Sequence, residues 1–216
     1  MPDKNNERLR LLEKQPSYGK VTVLIGPDGG GKTYLSNKLH GENPEAILID
    51  GTHPQNWPVS DKKKKSLARL KEIGGNDPNF DYYGILGLEL HKVIYRLAKE
   101  GKDVIIDSEQ TFKWLMWEDM KGNLDKSIQI LTSKEFNAIL PDTVKYVVPQ
   151  ADSFDKQAEL IWEQQSKKLD SEKSPIDPKN LDEVKIRLKA SENVILALEK
   201  VGVVVEGKPI WLVEND

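Results

Sequence analysis

The chain of 216 residues contains no cysteine. That removes disulfides, thiolate metal sites and thiol nucleophiles together, and it fits a reducing compartment. Long apolar runs are missing too: the longest spans about five residues, far short of the ~20 that a membrane-crossing helix needs. A soluble protein with no membrane partner is therefore expected. The first residues, MPDKNNERLRLLEK, are charged throughout and carry no apolar core, which argues against a secretory signal and makes the cytoplasm the default compartment. An excess of positive charge is also absent, because 32 Lys and Arg stand against 35 Asp and Glu for a net charge of -3. Nothing global calls for nucleic acid, although a local basic groove remains open. Arginine is scarce, with Arg8, Arg10, Arg69, Arg96 and Arg187 as the full set.

What is present reads as one domain of ordinary size. Residues 1–19 form a charged arm ended by Pro16 and Gly19, and residues 20–216 form the domain. Short apolar runs at Val21–Ile25, Ala46–Ile49, Val104–Ile106, Val144–Val148 and Val203–Val205 alternate with helical patterns at Tyr34–His40, Ile85–Lys99, Ser153–Lys168 and Leu181–Lys200. Fully apolar strands between helices predict a five-stranded parallel sheet covered by helices on both faces, a three-layer α/β fold. Two long connections interrupt the rhythm, residues 51–80 and about 167–180. Connections of that length in such a domain read as substrate segments or lids.

The stretch VTVLIGPDGGGKTYLSNKL contains Gly26, Gly31, Lys32 and Thr33 at the G-x-x-x-x-G-K-[ST] spacing, between a strand and a helix. Gly26, Gly29, Gly30 and Gly31 let backbone N–H groups turn inward on phosphate oxygens, and the helix opening at Tyr34 adds its positive end. ATP is thus the expected ligand, with Lys32 on its β and γ phosphates and the Thr33 hydroxyl on Mg2+. Lys32 is read as an exposed loop residue. The second acidic element is DVIIDSE, where Asp107 ends an apolar strand and is chosen for the metal; Glu109 lies on the same side of an extended chain. Asp50 ends AILID, and a parallel sheet brings it to the same edge as Asp107. Lys32, Asp50 and Asp107 are the expected catalytic set for phosphoryl transfer, with Asp50 as the candidate base toward a hydroxyl acceptor.

At this point the P-loop type of fold takes on a family colour. GPDGGGKT resembles the phosphate loop of thymidylate kinases and their relatives, which implies an Asp28 directed at the deoxyribose side of a substrate. LELHKVIYRLAKEGKDVIIDSE is similar to that family's helix and strand before an Asp-Arg-Tyr motif, LPDTVKYVVPQAD to its Pro-Asp strand, and VVVEGKP to the loop beside adenine. The departures matter more. Ser108 stands in the Arg position, and YGILGLELHK and DGTHPQNW lack the arginines that grip a phosphate acceptor in that family. DGTHPQNW instead loosely resembles the Glu-Pro-x-x-x-Trp of deoxynucleoside kinases, which implies Asp50 in the base position and Trp57 downstream at the substrate, where Glu109 is also expected.

Three further features bear on the acceptor. TFKWLMWEDM supplies Phe112, Trp114 and Trp117 where relatives build a base pocket; at helical spacing such residues also make core. SDKKKKSLARLK gathers Lys62, Lys63, Lys64, Lys65, Arg69 and Lys71 in what reads as a loop able to follow phosphates. Lys167, Lys168 and Lys173, or Arg187 from the next helix, would supply a lid cation. The resemblance favours the phage-type branch, which implies a kinase for the hydroxymethyl group of 5-hydroxymethyluracil in DNA, in a bacterial or phage-infected cell. A thymidylate-type or deoxynucleoside kinase is the alternative, and an ATP-hydrolysing switch or DNA-stimulated ATPase is the rival from another class. The expected partner is a nucleotide or DNA acceptor, with a homodimer left open.

Overall fold

The computed structural model describes residues 18–27, 30–74, 82–132, 143–149, 151–167, 177–209 and 212. Its strands are β1 (Val21–Ile25), β2 (Ile47–Asp50), β3 (Val104–Asp107), β4 (Thr143–Tyr146) and β5 (Val204–Glu206). Its helices are α1 (Lys32–Glu42), α2 (Asp61–Gly74), α3 (Tyr82–Lys99), α4 (Gln110–Met120), α5 (Leu124–Leu131), α6 (Phe154–Ser166) and α7 (Leu181–Lys200), with a short 3-10 turn at Pro54–Asn56. All pairs are parallel, in the order β2-β3-β1-β4-β5. The five-stranded parallel sheet expected from the apolar runs is present.

That order decides which helix covers which face. From β1 to β2 the chain moves across the sheet in one direction, and every later crossover moves in the other. Right-handed crossovers therefore put α1 on one face and all later helices on the opposite one. The two apolar cores divide accordingly. Leu24, Ile105 and Ala46 pack with Leu35 and Leu39 of α1, whereas Val23, Ile106 and Val144 pack in a larger cluster with Leu90, Leu115, Ile161 and Ile195 of the later helices. Alternate positions along one strand thus serve different layers. Asp107 and Asp50 follow Ile105 and Leu48 at period two, so both carboxylates belong to the α1 side at the carboxyl edge of the sheet.

The connection 51–80 is corrected. Residues 61–74 form α2, not a loop; Ser60 precedes it, and Lys63 N is 3.4 Å from the Ser60 hydroxyl oxygen. Leu67 is buried and Leu70 packs beside it, on the inner side of a segment whose lysine run hides that periodicity. Lys63 pairs with Glu89 of α3 at 2.6 Å, while Lys62, Lys65 and Arg69 share the exposed side at i, i+3 and i+7. Tyr18 and Gly19, assigned to the arm, pack on the domain: Gly19 N donates to Ala98 O at 2.9 Å. Residues 1–17 and 168–176, the bulk of the expected arm and lid, lie outside the described residues. Among the described residues no helix is long and apolar enough to cross a membrane.

Candidate active site

The turn after β1 is pressed against the end of β4. A Cβ on Gly26 would lie 2.3 Å from the Val147 carbonyl oxygen, and one on Gly30 would lie 2.4 Å from the same atom. Gly26 has φ 135° and Gly31, the residue before α1, has φ 89°, conformations that L side chains rarely adopt. A bulkier residue at Gly26 or Gly30 would force the turn off β4. Lys32 is only 6% exposed, which corrects the expectation of an exposed side chain. Its ammonium folds into the turn and donates to Gly26 O at 3.0 Å and Pro27 O at 2.7 Å. Thr33 and Tyr34 are exposed in the first turn of α1. Asp28 and Gly29 lie outside the described residues.

Asp107 ends β3 next to this turn. Its Cα pairs with Leu24 on one side and with Asp50 on the other, so glycine turn, Asp107 and Asp50 follow one another across three adjacent strands. Asp107 is 7% exposed and receives Ser108 Oγ at 3.2 Å and Ser36 Oγ of α1 at 3.4 Å. Ser108 has φ 59°, a left-handed backbone on a side-chain-bearing residue, and its carbonyl leaves room only for glycine at position 51: a Cβ there would lie 2.4 Å away. Mg2+ at a nucleotide takes one or two carboxylates together with phosphates and water, without a cage of protein ligands. Asp107 and the Thr33 hydroxyl fit that pattern. Among the described residues no cluster of three or more His, Cys, Asp or Glu side chains stands ready to hold a metal unaided.

Asp50 sits in a tight network. Its Oδ1 accepts from Thr52 N at 2.8 Å and Thr52 Oγ1 at 2.6 Å, and its Oδ2 lies 2.7 Å from Nδ1 of His53. Burial pushes the Asp50 carboxyl up, but the Thr52 and His53 hydrogen bonds outweigh it and hold the carboxyl below its ordinary value. His53 was not singled out by the sequence; the only signal was its place three residues beyond a strand-ending Asp.

Trp57, expected at the substrate, is fully buried and donates Nε1–H to Asp50 O at 2.8 Å. Its ring has no face left for a ligand, and it anchors the 50–57 turn from beneath. Trp57→Ala should lower unfolding free energy by about 3–5 kcal/mol, the usual cost of removing a buried Trp side chain, in equilibrium urea denaturation. A loss below about 1 kcal/mol would place the ring outside the core.

Glu109 is likewise placed beneath the surface. Its Oε2 accepts from Phe112 N at 2.7 Å as the N-cap of α4, and its Oε1 is 4.0 Å from His91 Nε2. Burial pushes the His91 imidazole toward its neutral form against the pull of Glu109. Phe112 and Trp117, expected near a substrate base, and Arg187, expected as a lid cation, line the same cleft. With Gly26, Pro27 and Gln165 they line a cleft of about 610 Å3, open mouth included, and the Arg187 guanidinium lies 5.5 Å from the Trp117 ring centre. Arg187 is the arginine of this cleft, whereas Arg96 donates to Pro58 O and Arg69 lies on the outer side of α2. Lys167 pairs with Glu163 at 2.7 Å on the exposed side of α6, and Lys168 lies outside the described residues. Gly207, in the loop expected beside adenine, has φ 81° and backs onto Tyr146 O.

No family model matches the chain, and no curated protein matches it. Among solved structures it is similar to deoxyadenosine kinase from M. mycoides with bound dATP, at 14% identity and a TM-score of 0.49 over 90% of this chain and 96% of that one.

Proposed function

We propose that the chain transfers the γ-phosphoryl group of ATP to a hydroxyl of a deoxynucleotide-type acceptor. The observation that carries this reading is the row formed by the glycine turn, Asp107 and Asp50 on adjacent strands at one sheet edge. In this reading the backbone N–H groups of the turn and of the first turn of α1 hold the phosphates, and the Lys32 ammonium moves from Gly26 O and Pro27 O onto their outer oxygens. Asp107 and Thr33 hold Mg2+, which when bound neutralises charge on the β and γ phosphates. The Asp50–His53 pair stands where a hydroxyl proton has to leave. Arg187 and Trp117 offer a cation and an aromatic face for a base in the cleft. A phosphate acceptor would call for paired arginines, and the cleft presents Arg187 without a second among the described residues.

One observation favours a polymeric acceptor. Lys62, Lys65 and Arg69 line the exposed side of α2, which continues from the 50–57 turn, and such a stripe suits a phosphate backbone. The hydroxymethyl group of 5-hydroxymethyluracil in DNA is the acceptor of that kind. Labelled ATP offered with thymidine, thymidine monophosphate, 5-hydroxymethyl deoxyuridine monophosphate, plain DNA and DNA containing 5-hydroxymethyluracil separates the readings. Label in the modified DNA alone supports the polymeric acceptor, label in thymidine supports a deoxynucleoside, and label in thymidine monophosphate overturns the hydroxyl reading. Hydrolysis indifferent to every acceptor would mark an ATP-hydrolysing switch instead. Asp50→Asn should lower the transfer rate by about 10²- to 10⁴-fold with the acceptor KM little changed, because it removes the carboxylate of the Asp50–His53 pair without removing a binding contact.

A further inference from the structure

We propose that Nε2 of His53 takes the proton of the acceptor hydroxyl and that Asp50 acts through it as a positioning residue; this deepens, and rests on, the phosphoryl-transfer reading above. Three features of the turn point to the ring. First, both Asp50 oxygens already accept hydrogen bonds, Oδ1 from the Thr52 amide and hydroxyl and Oδ2 at the imidazole. A carboxylate engaged in this way and held in its ionised form is a weak proton acceptor. Second, the geometry fixes the tautomer. The Thr52 hydroxyl donates its one proton to Asp50 Oδ1 at 2.6 Å, so toward His53 Nδ1, at 2.8 Å, it can only accept. Asp50 Oδ2 also only accepts. Nδ1 therefore carries the hydrogen, shared between two acceptors, and in the neutral ring Nε2 is the bare nitrogen.

Third, the ring is available and well placed. The His53 side chain is 49% exposed, while the turn beneath it is fixed by buried Trp57 and by the Gly51 N–H, which donates to Asp107 O at 2.8 Å. Adjacent strands lie about 4.8 Å apart, so the end of β2 stands roughly 10 Å from the end of β1, with Asp107 between them. That span suits a γ-phosphoryl group held by the glycine turn and a hydroxyl approaching it from the β2 side.

The step balances within the groups named. The acceptor oxygen bonds to the γ-phosphorus as its proton passes to Nε2. The bond from that phosphorus to the β–γ bridging oxygen breaks, and its electron pair leaves with ADP. The resulting imidazolium faces the Asp50 carboxylate across 2.7 Å, which stabilises the charge until water removes the proton. Asp50 itself need never be protonated.

The test uses the full chain and the acceptor that the parent labels best. In His53→Ala, kcat should fall by about 10²- to 10⁴-fold while KM for ATP and for the acceptor hold, and added imidazole should restore part of the lost rate by entering the space left by the ring. His53→Gln, which fills that space, should show the same loss without rescue. Asp50→Asn keeps the ring but not its orientation, and should likewise resist rescue. Thermal melts within a few degrees of the parent keep the comparison on chemistry, since His53 is exposed. A His53→Ala kcat close to the parent's would overturn the proposal, as would a loss that imidazole leaves untouched. A parent that labels no acceptor at all would instead overturn the transfer reading on which this one stands.

Discussion

Lys32→Ala should abolish transfer, with a fall of about 10³-fold or more in kcat, a loss comparable to removing a main electrostatic stabiliser from a closed site. The reason lies in where the side chain is stored. Its ammonium occupies the interior of the glycine turn, on Gly26 O and Pro27 O, and under the proposed function it meets the outer phosphate oxygens there. No other described lysine is placed inside that turn. The backbone donors survive in the variant, so nucleotide binding weakens but persists. Because Lys32 is buried, the substitution also removes two hydrogen bonds from the turn, at roughly 1 kcal/mol each. A small drop in melting temperature is therefore expected beside the loss of rate. Labelled-ATP transfer and a thermal melt on the same preparation check both. Activity within about tenfold of the parent would remove Lys32 from the γ-phosphate, since a tenfold change is only about 1.4 kcal/mol of barrier.

The features legible in the sequence were those set by short-range patterning. The apolar run Val21–Ile25 matches β1 at its observed bounds, and the helical pattern at Leu181–Lys200 matches α7, which the structure caps with Asn180. The glycine turn, Asp107 and Asp50 follow from strand-end positions in a parallel sheet, where register does the rest. The parts that were not legible depend on tertiary contacts. In α2 four successive lysines mask the Leu67 and Leu70 positions, and only packing against the Pro54–Asn56 turn and α3 reveals the helix. Trp57 reads as substrate-facing from the resemblance of DGTHPQNW to a kinase motif, and Glu109 from an extended chain after Asp107; the structure turns Trp57 into the core and Glu109 into a helix cap. His53 escaped notice because its meeting with Asp50 at i+3 exists only in the turn that Trp57 pins from below.

Asp107→Asn should remove metal-dependent turnover, by about 10³-fold, while leaving nucleotide binding in place. Asparagine keeps the shape, with one acceptor oxygen for one of the Ser36 and Ser108 hydroxyls and an NH2 that can donate to the other, but the negative charge that a hard cation requires is gone. The same change should not unfold the chain. Asp107 is 7% exposed, its described partners are two neutral hydroxyls, and its register neighbour Asp50 is another acid. Removing a desolvated charge with no opposite charge among those neighbours is neutral or stabilising. The melting temperature of Asp107→Asn is therefore expected at or above the parent's even as activity disappears. That pairing of effects separates a metal ligand from a structural strand-end acid, whose loss would lower both together. Turnover titrated with Mg2+, alongside a melt in the absence of nucleotide, supplies the two readings. Superimposable titration curves for parent and variant would take Asp107 out of the metal site and move support of the metal elsewhere along the sheet edge.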